Sequence, residues 1–291
     1  MKHFHIVGAA GVGMSALAEF LIGLGHRVSG SDRFHDEGRT LDVLEKLQRR
    51  GLRITAQDGS GVSTDTEAVV VSTAIEADNP ELAAARDLKI PVKHRAEVLS
   101  ELTRNHQVIA VAGTAGKTTV TGLIGWLLEQ AGRDPTVVNG GGVLNWMDDT
   151  HTGSVRTGGS DLCVLEVDES DRSLLGFEPE VALINNVSKD HFDLDETWSL
   201  FRTFAAQVRR TLICGEGVSG GLGDIGCPPG RVECPFLCEE AATGVGFYFT
   251  VAGERYTSRL VGRHNAENAF LATMVCRHLG IEPSVIQRGL E

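Results

Sequence analysis

The clearest chemistry in this chain lies in Ala112-Gly113-Thr114-Ala115-Gly116-Lys117-Thr118-Thr119. Gly113 and Gly116 let the backbone wrap an anion, Lys117 can neutralise β- and γ-phosphates, and Thr118 can ligate magnesium. A strict phosphate-loop pattern has glycine where Val111 stands, but the Gly-Lys-Thr placement after an apolar strand keeps the essential parts. Downstream, Glu166-Val167-Asp168-Glu169-Ser170-Asp171 crowds like charges, an arrangement suited to a cation or a helix N-terminus. Glu166, the strand-end residue, is the best carboxylate partner for a magnesium ion on Thr118. Past the next strand, His191 falls on the same ligand-binding edge, where its neutral imidazole can serve a metal with Asp190 orienting it.

A second glycine cluster opens the chain: Gly8-Ala9-Ala10-Gly11-Val12-Gly13-Met14-Ser15. A strand-to-helix turn of this kind offers backbone N–H groups and a positive helix end to a diphosphate. Asp32 stands where an acid commonly reaches a ribose hydroxyl. The dinucleotide fingerprint fits only in part, because Ala10 and an extra Gly11 interrupt it. A nicotinamide oxidoreductase is therefore one reading of the opening, and a different diphosphate ligand is another.

Both loops need parallel α/β frames. His3 to Val7, Arg27 to Ser29, Ala68 to Ser72 and Pro91 to Lys93 read as strands, with helices between them, the pattern of a doubly wound parallel sheet. A helix over 96–104 ends in a polar run, which places a domain boundary between residues 104 and 105. The alternation then restarts with strands at 108–112, 161–167, 181–187 and 211–214 and helices at 117–130 and 196–209. Residues 215–230 are rich in glycine and proline and read as a long connection. Residues 246–260 read as a hairpin around Ala252-Gly253-Glu254, and 265–279 as a helix stopped by Gly280.

The formal charge of −12 disfavours a nucleic-acid partner. No apolar run approaches the roughly 20 residues of a membrane span, and the chain enters a strand directly, so a cytoplasmic protein is expected. Cys227, Cys234 and Cys238 lack paired metal spacing and read as buried or incidental thiols.

In their order, further motifs carry a resemblance. They are Val28-Ser29-Gly30-Ser31-Asp32, Val71-Ser72-Thr73-Ala74-Ile75, Asn79-Pro80-Glu81, His94-Arg95-Ala96-Glu97, the phosphate loop, Asn139-Gly140-Gly141, the acidic cluster, Asn186 to His191 and Gly262-Arg263-His264-Asn265. Together they resemble the Mur ligases, over nearly the whole chain. The resemblance implies a Rossmann-like UDP-sugar-binding domain at 1–104 and a P-loop ATPase-type central domain at 105–291. It implies an ATP-dependent amide-bond ligase of peptidoglycan synthesis, adding L-alanine to UDP-N-acetylmuramate through an acyl phosphate.

By matching position, Gly113 to Thr119, Asn186, His264 and Asn268 would bind ATP, with Lys117, Glu166 and His191 as the catalytic set. Thr118, Glu166 and His191 would hold Mg2+. Gly8, Ala9, Ala10, Gly11, Val12, Gly13, Met14, Ser15, Asp32, Ser72 and Thr73 would hold the UDP-sugar. The pattern departs from the family at Ala115, where histidine or asparagine is usual, and at Lys189. Ala206 stands where several relatives carry a carbamylated lysine, as in the alanine-adding branch. A third family domain is expected beyond Glu291, so this chain reads as a truncated piece or a natural short form with little activity alone. A tripeptide-recycling ligase, a ligase for another amino acid and a silent UDP-sugar binder are the rival readings. These motifs encode neither amino-acid specificity nor oligomeric state.

Overall fold

The computed structural model describes residues 1–189, 191–223, 230–233, 236–240 and 246–291. Asp190, Cys227 and Cys234 lie outside the described residues, as does the side chain of Glu240. The chain packs as two compact units, Met1–Arg104 with Val138–Thr157, and Asn105–Val137 with Gly158–Glu291.

In the first unit the elements are β1 (His3–Val7), α1 (Val12–Gly23), β2 (Arg27–Ser31), α2 (Arg33–Asp36), α3 (Asp42–Arg49), β3 (Arg53–Ile54), β4 (Ala68–Val71), α4 (Pro80–Asp87), β5 (Val92–His94) and α5 (Arg95–Thr103). The sheet runs β3-β2-β1-β4-β5, with neighbouring strands parallel throughout. This is the doubly wound pattern, with the order reversing at β1, so ligands belong at the carboxyl end of β1. Gly30 is required there: a Cβ would stand 2.8 Å from the Ile6 carbonyl oxygen. Helix starts are written locally. Asp32 caps α2 and Asn79 caps α4 ahead of Pro80, and His94 and Glu97 form a capping box on α5.

The segment Val138–Thr157 belongs with this unit, an excursion that a single cut at residue 104 does not include. One tie is Glu19, fully buried on α1, whose carboxylate pairs with Arg50 at 2.6 Å and accepts from the Thr152 hydroxyl. A buried carboxylate needs such partners.

The second unit continues with β6 (Gln107–Ala112), α6 (Lys117–Gln130) and β7 (Thr136–Val138). The excursion carries β8 (Val155–Arg156). After it come β9 (Leu162–Glu166), β10 (Val181–Ile184), α7 (Leu194–Gln207), β11 (Thr211–Cys214), α8 (Val218–Leu222), β12 (Gly230–Glu233), β13 (Cys238–Glu240), β14 (Phe247–Val251), β15 (Glu254–Ser258), α9 (Arg263–His278) and α10 (Pro283–Leu290). Strands β12-β11-β10-β6-β9 form a parallel core, with β7 next to β9. These strands are near-continuous apolar runs because both faces are buried. The 215–230 stretch, read as one long connection, contains α8 and leads into β12 paired to β11. The hairpin forms as expected: Ala252 and Gly253 both take positive φ, the geometry a two-residue turn between twisted strands demands.

Cys163, Cys214 and Cys276 are buried, and burial pushes the Cys163 thiol up to about 12. They are packing residues. Among the described residues no helix is long and apolar enough to cross a membrane.

Candidate functional site: two anion-binding loops

The phosphate loop of the second unit joins β6 to α6 at the carboxyl edge of its parallel core. Gly113 and Gly116 both take positive φ. A Cβ on Gly116 would stand 2.5 Å from the Asn185 amide nitrogen and from Asn268 Oδ1, so glycine is needed for conformation and for space. Two asparagines at the end of β10 clamp the turn. The Ala115 N–H donates to Asn186 Oδ1 at 2.9 Å, and Asn185 Nδ2 donates to the Ala115 carbonyl at 2.6 Å. Asn185 Nδ2 also reaches Asn268 Oδ1 on α9 at 3.3 Å. The loop is thus held from outside, while the first-turn N–H groups of α6 keep their outward aim.

Lys117 Nζ donates to the Gly113 carbonyl and to Glu169 Oε2, both at 2.8 Å. The Thr118 hydroxyl donates to Glu166 Oε1 at 3.1 Å. A hydroxyl and a carboxylate side by side are hard oxygen donors. They suit Mg2+, which is commonly held by one or two protein oxygens plus phosphate. Among the described residues no cluster of three or more acids, histidines and cysteines could hold a metal by itself. His191 stands exposed between β10 and α7. Of the expected nucleoside contacts, Asn268 is buried against the loop, whereas His264 is exposed at the start of α9.

The first unit carries the other loop and a cavity of about 570 Å3. Gly8, Ala10, Gly11, Met14, Asp32 and Ser72 line it, together with Phe34, Gln57, Asn79 and Pro80. Ala9, Val12, Gly13, Ser15 and Thr73 are not among its lining residues. Most of the loop's donors are consumed internally. The Gly8 and Ala9 N–H groups donate to the Ser31 carbonyl, Gly11 N–H to the Gly8 carbonyl, and Ala10 N–H to Asp32 Oδ2 at 2.9 Å. The other Asp32 oxygen accepts from the Phe34 N–H at 3.0 Å. Val12 and Gly13, at the start of α1, are the donors left facing outward. A Cβ on Gly13 would stand 2.9 Å from Arg95 Nη1, so a guanidinium lies beside them.

Beneath the cavity wall, the fully buried Glu81 carboxylate accepts from the fully buried His5 ring, two residues from the lining Asn79. His5 Nδ1 meets the Ser29 hydroxyl at 2.8 Å, and Ser29 meets His3 Nε2 at 2.8 Å. Arg27 Nη2 stands 3.1 Å and Asp65 Oδ1 3.5 Å from His3 Nδ1, so a relay of contacts runs from this charged pair through His3, Ser29 and His5 to Glu81.

Sequence reasoning did not assign Asn185, Glu169 or Arg95 to a site. Each had a local signal. Asn185 adjoins Asn186, Glu169 lies in the acidic cluster, and Arg95 stands in the His-Arg-Ala-Glu motif.

A parallel sheet with a glycine loop and no lysine, and another whose loop presents Lys-Thr beside a strand-end glutamate, define a two-part α/β protein with two loops suited to anionic groups. Residues 3–107 match the Mur ligase family, catalytic domain, and residues 111–200 match the Mur ligase middle domain. The chain belongs to the Mur ligase family. It is 34% identical over 314 residues to a UDP-N-acetylmuramate--L-alanine ligase of Sinorhizobium fredii, covering 98% of this chain and 64% of that protein. A ligase of the same description from Methylocella silvestris is 36% identical over 320 residues, with the same coverage of 98% and 64%. The chain thus spans about 64% of the length of these relatives.

Among solved structures, it superposes on the UDP-N-acetylmuramate:L-alanyl-gamma-D-glutamyl-meso-diaminopimelate ligase of Neisseria meningitides with a TM-score of 0.87 at 26% identity, covering 100% of this chain and 97% of that one. It shares its fold with UDP-N-acetylmuramate-alanine ligase of Thermotoga maritima, with a TM-score of 0.83 at 24% identity, covering 100% of this chain and 68% of that one.

Proposed function

We propose that this chain forms the UDP-sugar and ATP sites of a ligase that joins L-alanine to UDP-N-acetylmuramate in cytoplasmic peptidoglycan synthesis. The observation that carries the reading is the phosphate loop, where Lys117 and the Thr118–Glu166 pair converge at one strand edge. The relatives' descriptions support the substrate.

Transfer of a phosphoryl group to the sugar carboxylate needs charge neutralisation and alignment more than an acid–base pair. Lys117 supplies a fixed positive charge, and the α6 N-terminus supplies oriented N–H groups. Thr118, Glu166 and His191 would hold Mg2+, which when bound neutralises phosphate charge. Asn185 and Asn186 keep the loop in register, and Asn268, pinned by Asn185, would meet the nucleoside with His264. In the first unit, Val12, Gly13 and Arg95 would grip the diphosphate. Asp32 would reach the ribose while anchoring the loop, with Ser72 on the cavity wall and Thr73 nearby.

Calorimetric titration with UDP-N-acetylmuramate, Mg-ATP and NAD(H) tests this. Binding of the first two and not the third is expected. Tight NAD(H) binding without UDP-sugar binding would overturn it. A tripeptide-adding specificity is a second reading, favoured by the superposition on the Neisseria enzyme. Phosphate release with L-alanine, compared with release with L-alanyl-γ-D-glutamyl-meso-diaminopimelate, separates the two.

A further inference from the structure

Glu169 of the acidic cluster forms an ion pair with the loop lysine, and the proposed chemistry does not use it. Its carboxylate is 2% exposed as a residue, close to fully buried. Oε2 accepts from Lys117 at 2.8 Å, while Oε1 is buried with no hydrogen-bond partner among the described residues. Packing alone does not favour such a group, because a buried carboxylate with an unpaired oxygen costs free energy unless a counter-charge holds it. Lys117 is that counter-charge.

The lysine's own geometry is as telling. An ammonium has three N–H donors, and those of Lys117 already serve the Gly113 carbonyl and Glu169. One donor is left for phosphate, in a direction the other two fix. At the same time the carboxylate spends part of the ammonium's charge, and a nucleotide phosphate must share the cation with it.

We propose that Glu169 is the positioning residue of the loop lysine: it fixes the Lys117 ammonium against the Gly113 carbonyl and weakens its hold on nucleotide phosphate. Nucleotide affinity is thereby traded for alignment and for easier product departure. The inference rests on the reading of this loop as the ATP site.

The test uses the chain with ADP and magnesium, and with adenosine as a probe that has no phosphate. In Glu169→Gln the ammonium keeps an acceptor but loses its counter-charge, so ADP should bind about tenfold tighter while adenosine affinity stays unchanged. Glu169→Ala, which also removes bulk, should shift ADP affinity in the same direction. In the wild-type chain, the Lys117 ammonium should give an observable 15N signal, slowed in exchange by its two fixed acceptors and assigned with Lys117→Arg. ADP affinity that is unchanged or weaker in a folded Gln variant overturns the inference alone. So does an equal shift for ADP and adenosine, or a wild-type ammonium signal lost to fast exchange. A wild-type chain that binds no ADP overturns the nucleotide reading, and the inference with it.

Discussion

The two glycine loops share a strand-turn-helix frame and differ in what restrains them. In the first unit, the backbone of residues 8–11 is tied back by the Ser31 and Gly8 carbonyls and by Asp32, with no lysine in the turn. In the second, asparagines from a neighbouring strand clamp the turn, and Lys117 projects a charge shared with Glu169. A loop of the first kind suits a diphosphate that is only bound. One of the second kind suits a phosphate that is transferred, because transfer demands a cation aligned with the moving charge.

Lys117→Ala breaks the contrast most directly. It should cut Mg-ATP affinity on the order of a hundredfold and spare UDP-N-acetylmuramate binding, both read by calorimetry. Persistence of ATP binding would mean the second loop grips phosphate by backbone alone, as the first does. Next in size, Glu81→Ala leaves His5 buried without its partner. A buried ring N–H left unsatisfied costs about 1–3 kcal/mol, so thermal unfolding of the first unit should shift downward while ADP binding by folded protein persists. Asp32→Ala removes a helix cap and the Ala10 tether together. It should cost about 1–2 kcal/mol in denaturant unfolding and weaken UDP-sugar binding, and an unaltered UDP-sugar affinity would show that the loop needs no side-chain anchor.

The smallest effect concerns His3, at the solvent end of the relay to Glu81. Burial, followed by the Arg27 charge, holds its imidazole below the usual 6.5. The folded state therefore favours neutral His3, and this contribution is present above pH 6.5 and is lost as the pH falls below it. Relative to His3→Gln, the wild-type chain should become less stable as the pH falls from above 6.5 to below it. A constant difference across that range would remove His3 from the relay.

The strands and major helices were legible because their signals are local: apolar runs for buried parallel strands, Pro80 after a capping Asn79, Gly280 after α9. The phosphate loop was legible for the same reason, since Gly-Lys-Thr is a contiguous pattern. Short β3, β7 and β8 were not read, because two or three residues carry too little periodicity and exist only through their neighbours. The excursion of 138–157 into the first unit was equally invisible. Its anchor, Thr152 on Glu19, joins residues 133 positions apart.

The sequence by itself determined the family, the two parallel α/β frames and the loop types, since glycine spacing, strand hydrophobicity and a following lysine are physical requirements at adjacent positions. Only the tertiary structure decided who restrains each loop. Asn185 holding Ala115, Asp32 holding Ala10, His5 under Glu81 and Glu169 on Lys117 are all long-range pairings. They follow from which strand ends and helix turns the fold brings together, and burial then makes each polar partner obligatory.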